Sequence, residues 1–141
     1  MMKSRNRTLR NGTELTSPLI YDGVAYPDYW IDKESGNIWS TKTRYFKRLT
    51  PRTSGGCRYP RLQIESWRKD IMVHKAVAET LLPIPRPETV TQEEWDITPD
   101  SVKTILLKGL QVHHIDGDNM NYRPDNLERM TYSEHQRTTH V

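Results

Sequence analysis

Three patterns in this 141-residue chain predict an α+β fold, with a small N-terminal antiparallel β-sheet plus a helix, followed by a C-terminal ββα unit. Short apolar segments alternate with turn residues up to residue 73, which is typical of antiparallel strands. The apolar spacing then changes to the helical period. Near the C-terminus, two short strand patterns enclose a polar loop and precede a helix start signal.

The composition fits a single small domain with a modest core. Hydrophobic residues make up 34% of the chain and charged residues 28%. Cys57 is the single cysteine, which excludes a disulfide framework and a cysteine zinc site, so any metal must bind His, Asp, Asn or Glu side chains. No apolar run could cross a membrane, and the N-terminus lacks the apolar segment of a secretory signal. We therefore expect a small, soluble, intracellular protein that is not secreted and lies in the cytoplasm.

Positive charge is concentrated in the first half of the chain. Residues 1–75 contain 15 Lys and Arg against 7 Asp and Glu, whereas residues 76–141 contain 6 against 11. No acidic residue occurs between Glu34 and Glu65. Seven basic residues lie in this acid-free segment, interleaved with aromatic residues such as Tyr59: Lys42, Arg44, Lys47, Arg48, Arg52, Arg58 and Arg61. The pattern predicts a polyanion-binding surface, although a merely solvated charged face has the same pattern.

The N-terminal half contains an arm and a set of short strands. Residues 1–20 are polar and basic, and we interpret them as a flexible arm. Ser35-Gly36 is a hairpin signal, and the loop 50–56 is rich in turn residues. The strands, which we expect to form one antiparallel sheet, are residues 29–31, 37–40, 45–49, 58–64 and 67–73. The sheet tryptophans expected in the core rather than as base-stacking platforms are Trp30, Trp39 and Trp67.

A helix is predicted over residues 74–82, because apolar residues recur on one helical face and the pattern ends at Pro83. Residues 83–90 (PIPRPETV) predict a stiff, extended link. The link closes a basic, β-rich region over residues 21–90 that we expect to bind DNA. His74 stands at the helix start, where we expect a packed or backbone-bonded histidine rather than a phosphate contact or a catalytic helper.

The third unit, residues 91–141, begins with one or two short helices. Thr91 and Glu94 have the spacing of a capping box. A second helix start is predicted at Thr98-Pro99-Asp100, in a helix that ends at Gly109. The polar residues that follow these helices are the candidates for the chemistry of the protein.

Residues 110–140 predict a strand, a polar loop, a second strand over 126–130 and a helix that contains His135 in its first turn. Neighbouring side chains of a strand point to opposite faces, so His113 and His114 cannot easily bind one metal together. One of them should face a metal and the other an incoming water. Asp116 and Asp118 are interpreted as turn-forming residues of the loop rather than ligands.

This stretch resembles the HNH (ββα-metal) nuclease motif, of the His-His type found in colicin DNases and phage homing endonucleases. The matching residues are His113 and His114, Asn126 thirteen residues after His113, and His135 nine residues after Asn126. The upstream VHKAVAETLLP is similar to the helix that precedes the motif in phage homing endonucleases. Residues 26–40 are similar to the small N-terminal module that those proteins often carry.

The resemblance implies a role for each residue of the motif. His113 and His135 would bind a divalent metal, and His114 would be the general base. Asn126 would brace the loop by hydrogen bonds to the backbone. The neutral imidazole of a histidine suits proton abstraction near pH 7. Cleavage in this family leaves 5′-phosphate and 3′-hydroxyl ends.

The sequence departs from the colicin-type pattern at the third metal ligand. Thr139 occupies that position, and His140 follows it. Either two protein ligands are completed by water and phosphate oxygens, or His140 is a slipped third ligand. A two-ligand site favours Mg²⁺, with Mn²⁺ as a substitute, over Zn²⁺ with its three or four protein ligands.

We therefore expect a metal-dependent DNA endonuclease of the phage homing or free-standing HNH type, acting on double-stranded DNA. The alternative is a non-catalytic nucleic-acid-binding protein on a ββα scaffold. Arg123 is expected to contact DNA, and Arg129 is either a phosphate contact or a surface charge. The protein is either a monomer or a homodimer.

Overall fold

The computed structural model describes residues 7–8, 14–15, 17–107 and 110–131. In these ranges the fold is α+β and every paired strand is antiparallel, which confirms the predicted fold class. Two short strands of the N-terminal segment, β1 (Arg7–Thr8) and β2 (Glu14–Leu15), pair with each other.

A four-stranded sheet follows, in which the strands lie side by side in the order in which they occur along the chain. It consists of β3 (Ser17–Tyr21), β4 (Val24–Ile31), β5 (Ile38–Ser40) and β6 (Lys47–Arg48). Asp22 and Gly23 join β3 to β4 with φ values of 52° and 77°, the left-handed backbone that an Asp-Gly hairpin turn requires. The predicted arm is therefore too long, because residues 17–20 belong to a strand and Leu19 is fully buried.

The remaining N-terminal strands, β7 (Arg61–Ile64) and β8 (Lys69–Met72), form a separate hairpin. The prediction of one sheet is therefore wrong. Only an isolated bridge between Arg52 and Arg61 connects this hairpin to the preceding loop, because the turn-rich segment between β6 and β7 does not continue the ladder. Trp67 lies at the hairpin turn and is 81% exposed, so its predicted core position is also wrong. Trp30 and Trp39 are half-buried.

Helix α1 (Val73–Leu81) begins one residue before the predicted start. Its last turn is followed by Leu82 in extended conformation, as expected before a proline. Side chains near the end of α1 bind the β3–β4 hairpin: the Thr80 hydroxyl accepts from the Ile20 N–H at 2.9 Å, and the Glu79 carboxylate accepts from the Asp22 N–H at 2.9 Å. These contacts fix α1 against the four-stranded sheet.

Two short helices follow the Pro-rich link, α2 (Gln92–Asp96) and α3 (Asp100–Leu107). The predicted capping box is confirmed, with Thr91 and Glu94 each accepting a backbone N–H from the other. The predicted end of α3 at Gly109 lies outside the described residues. Within those residues, the structure contains no helix that is long and apolar enough to span a membrane.

The C-terminal strands, β9 (Leu110–His114) and β10 (Leu127–Thr131), pair as an antiparallel hairpin. A single turn of 3₁₀-helix, Pro124–Asn126, precedes β10. The helix predicted after β10, together with His135 and His140, lies outside the described residues.

One hydrophobic core joins the C-terminal hairpin to the N-terminal elements. Leu127 of β10 belongs to the same buried cluster as Leu19 of β3 and Val77 of α1. Beside this cluster, the Tyr122 hydroxyl donates to Asn37 Oδ1 at 2.9 Å. Gly36 lies so close that an added Cβ would be 2.6 Å from the Tyr122 carbonyl oxygen. The hairpin is therefore seated against the turn between β4 and β5.

Gly36→Ala should lower the free energy of unfolding more than Gly23→Ala does. Both glycines have φ of +77°, so both substitutions incur the same left-handed strain of about 1–2 kcal/mol. Only Gly36 has atoms within 4 Å of the added Cβ, which adds an overpacking cost of roughly 1–3 kcal/mol. Chemical denaturation of both variants measures the difference, and equal losses of unfolding free energy would contradict the close contact.

Candidate active site

The two adjacent histidines of β9 have different environments. His114 is 6% exposed and lies opposite Leu127 of β10, on the side of the hairpin that faces the core. His113 is half-buried and lies opposite Glu128, which is exposed. The alternation of a strand therefore separates the two imidazoles, as the sequence predicts.

His114 lies in a cluster of three rings from three separate elements. Tyr59, which precedes β7, stacks on His74 of α1 with 4.5 Å between the ring centroids. The Tyr59 centroid is 5.8 Å from that of His114, with an interplanar angle of 20°. The centroids of His74 and His114 are 5.1 Å apart. Packing on two sides thus restricts the orientation of the His114 ring.

Two ring nitrogens in this cluster are buried without a hydrogen-bond partner. They are His74 Nδ1 and His114 Nε2, and within the described ranges only Trp39 Nε1 shares this property among side-chain nitrogens and oxygens. An unsatisfied buried polar atom costs about 1–3 kcal/mol. Two such atoms on adjacent rings therefore indicate a site that stability alone does not explain.

Burial keeps both imidazoles neutral. Burial, together with smaller effects of the neighbouring His114 and Lys75, lowers the pKa of His74 to about 4. Burial also lowers the pKa of His114, although the carboxylate of Asp116 opposes this shift. A neutral His114 has a ring lone pair that can accept a proton at neutral pH.

Asn126 fixes the loop that follows His114. Its Oδ1 accepts the Asp116 N–H at 3.0 Å, and its Nδ2 donates to the Asp116 carboxylate and to the Asn121 carbonyl, both at 3.0 Å. The Asn126 carbonyl accepts the Ile115 N–H at 2.8 Å. These are backbone-bracing contacts of the kind that the motif implies, and a contribution of Asn126 to catalysis stays a prediction.

The loop carboxylates are turn-forming residues, as the sequence predicts. Asp116 accepts the Asp118 N–H at 2.8 Å and the Asn121 amide at 2.8 Å. These hydrogen bonds lower the pKa of Asp116 and keep it ionised. Asp118 in turn accepts the Met120 N–H at 2.9 Å. Both carboxylates therefore bind within the loop.

The β9–β10 hairpin lies in a segment that matches a known protein family. A family model described as HNH endonuclease covers residues 106–137, which include β9, the braced loop and β10. This segment is therefore similar to HNH endonucleases. No curated protein and no solved structure matches the chain.

At the level of the family, this match supports nuclease activity and binding of a DNA substrate. HNH nucleases generally depend on a divalent metal ion. The matched part is 32 residues long, so the remaining elements must be interpreted from their own contacts.

The structure places the predicted metal ligands only in part. Within the described ranges, no three His, Cys, Asp or Glu side chains group closely enough to hold an ion. His113 is described, whereas His135 of the matched segment, and Thr139 and His140 beyond it, lie outside the described residues. Directly opposite residues of an antiparallel pair share one face, so Glu128 lies on the same face as His113. An imidazole beside a carboxylate fits a divalent ion chemically.

Most of the predicted DNA contacts are exposed. Lys42, Arg44, Lys47, Arg48, Arg52, Arg58 and Arg123 are exposed, and Arg61 is half-buried. Arg61 pairs with Asp70 at 2.8 Å, and Arg123 with Asp125 at 3.4 Å. The Arg58 guanidinium lies 5.9 Å from the Tyr59 centroid, so Tyr59 joins the acid-free segment to His114 of the HNH hairpin.

Arg129 has a structural role that differs from both interpretations of the sequence, a phosphate contact and a surface charge. Its guanidinium donates to the Ala78 carbonyl of α1. Burial lowers its pKa, opposed by the nearby Glu79 carboxylate. Arg129 therefore links β10 of the HNH hairpin to α1 instead of standing free on the surface.

Two residues of the site are not evident from the motif. Tyr59 is one of several aromatic residues in the basic segment, and no pattern in the surrounding sequence indicates its contact with His114. His74 is packed, as expected for a histidine at the start of an apolar helix, but its neighbour is the motif histidine. Both contacts depend on how α1 lies against the HNH hairpin.

Asn126→Ala should destabilise the protein by roughly 1–3 kcal/mol, because the Asp116 N–H and the Asn121 carbonyl lose their buried partner. Asn119→Ala is the matched control, since Asn119 makes no side-chain hydrogen bond within the described residues. Urea denaturation of the two variants measures the effect. Equal stability of the two variants would show that Asn126 does not brace the loop.

Proposed function

We propose that this protein is a metal-dependent DNA endonuclease that hydrolyses phosphodiester bonds, of the phage homing or free-standing HNH type. The observation that carries the proposal is the environment of His114. This histidine of the HNH hairpin is buried, uncharged and held between Tyr59 and His74. A surface histidine without a function would not need such an environment.

The residues of the chain have distinct parts in the proposed reaction. His114 accepts a proton from the attacking water, and Asn126 holds the loop that follows it. His113 and His135 would hold the ion, and His140 is the candidate third ligand. When bound there, a divalent ion, Mg²⁺ or alternatively Mn²⁺, would stabilise the charge that develops on the phosphate and the leaving 3′-oxygen.

The acid-free basic segment is proposed to hold double-stranded DNA through its phosphates. Two observations support this. Lys47 and Arg48 are both exposed on the edge strand β6, in a segment without acidic residues. Arg58 and Tyr59 extend the same segment to the His114 ring cluster. The proposal includes action inside a host cell, where genomic DNA is available.

His114→Ala should abolish cleavage of supercoiled plasmid in Mg²⁺ or Mn²⁺ while leaving DNA affinity nearly unchanged. Loss of a general base typically lowers the rate by about 10²–10⁴-fold. Asn119→Ala serves as an active control, and excess EDTA should stop the wild-type reaction. Cleavage by His114→Ala at the wild-type rate would overturn the assignment of His114.

The plasmid product reports the oligomeric state as well. Conversion to open circles indicates nicking by a monomer, whereas direct conversion to linear DNA indicates a homodimer, because one active site cuts one strand at a time. Tight, salt-sensitive binding without cleavage in any metal would favour the non-catalytic binding protein.

Substituting Lys47 and Arg48 together by Ala should weaken DNA binding uniformly across sequences. Each lost phosphate contact should reduce the slope of log K against log salt by about 0.9. Lys103→Ala, on helix α3, removes a positive charge outside the basic segment and should leave the slope unchanged. Titrations of labelled duplex at several salt concentrations measure both slopes. An unchanged slope in the double variant would contradict the proposed DNA surface.

A further inference from the structure

His74 and His114 approach each other with complementary hydrogen-bonding needs. Both residues are buried, at 4% and 6% exposure. Each leaves one buried ring nitrogen unpaired, Nδ1 in His74 and Nε2 in His114. The two ring centroids are 5.1 Å apart, a separation that a small rotation of either ring or one buried water can bridge.

A neutral imidazole has one donor nitrogen and one acceptor nitrogen. If the proton of His114 is on Nε2, that nitrogen is a donor and needs an acceptor inside the protein. His74 Nδ1 can be that acceptor only while His74 is uncharged. Burial lowers the pKa of His74 to about 4, so this condition holds at neutral pH.

We propose that His74 is a positioning residue that accepts a hydrogen bond from His114 Nε2–H, directly or through one buried water, and thereby fixes the tautomer of His114. In this tautomer Nδ1 of His114 is unprotonated. Of the two ring nitrogens of His114, Nε2 is the one that is buried without a partner. Nδ1 is therefore available to accept the proton of the attacking water. The inference deepens the proposed function and rests on it.

Tyr59 has a supporting part in this arrangement. Its ring stacks on His74 and lies nearly parallel to His114, with interplanar angles of 30° and 20°. A single ring that contacts both imidazoles limits their rotation and excludes bulk water from the gap between them. The contact depends on the aromatic ring, so Tyr59→Phe should preserve the tautomer of His114.

The first test observes the tautomer without requiring activity. Long-range ¹H–¹⁵N spectra of the imidazoles distinguish a protonated ring nitrogen from an unprotonated one, and the chain has five histidines, which single substitutions can assign. We expect Nε2–H for His114 in the wild-type protein at neutral pH. His74→Phe keeps a ring but removes the acceptor, and it should yield a mixture of tautomers. His74→Asn keeps an acceptor near the position of Nδ1 and should restore Nε2–H.

The second test measures turnover at saturating plasmid. His74→Phe should lower kcat by roughly 10- to 100-fold, the usual effect of losing a partner that orients a functional histidine, with KM for DNA unchanged. His74→Asn should recover most of kcat. Thermal melting of both variants checks that they are folded.

Several outcomes overturn the inference. These are an Nδ1–H tautomer of His114 in the wild type, an unchanged tautomer in folded His74→Phe, or equal losses of kcat in the Phe and Asn variants. Failure of the proposed function looks different: the wild-type protein would not cleave DNA, while the spectra would still decide the tautomer. A cleaving enzyme with His114 in the other tautomer would leave the nuclease proposal intact and refute the role of His74.

Discussion

The packing of the β9–β10 hairpin against α1 determines the rest of the site. Leu127 brings the inner face of the hairpin into the core, and Arg129 donates to the carbonyl of Ala78 near the end of the helix. Since His114 is the direct cross-strand neighbour of Leu127, burial of one residue enforces burial of the other. The helix then presents His74 to the same face.

This packing gives the two faces of the hairpin different electrostatic properties. On the inner face, desolvation lowers the pKa of His74 and of His114 and favours their neutral forms. On the outer face, His113 lies beside the exposed Glu128, where charge is hydrated. A candidate proton acceptor and a candidate metal ligand are thus adjacent in sequence but lie on opposite faces of the strand.

The loop between the two strands is organised by its own polar groups. Asn126 and Asp116 exchange hydrogen bonds across ten residues of chain, and Gly117 adopts a left-handed conformation with φ of 77° within the turn. Because Asn126 pairs with both Asp116 and Asn121, these hydrogen bonds hold the start of the loop against its end. The rigidity suits a site in which an imidazole must meet a water in a fixed direction.

Local patterns in the sequence were sufficient for several features. The alternation at His113 and His114, the capping box at Thr91 and the turn at Gly36 are all set by a few neighbouring residues. The Asp22-Gly23 turn was equally local, but the basic character of residues 1–20 obscured it, and β3 was predicted as arm. The exposure of Trp67 depends on where the β7–β8 hairpin ends relative to the other sheet, which no local pattern determines.

By itself, the sequence determined the α+β class, the identity of the motif residues and the concentration of positive charge before residue 75, because these depend on residue type and spacing. Only the tertiary structure decided that Tyr59 and His74 contact His114, that Arg129 binds α1, and that the strands divide into separate sheets. These contacts join residues far apart in the chain. They arise because apolar faces of separate elements are buried against each other, and local sequence patterns do not specify which faces meet.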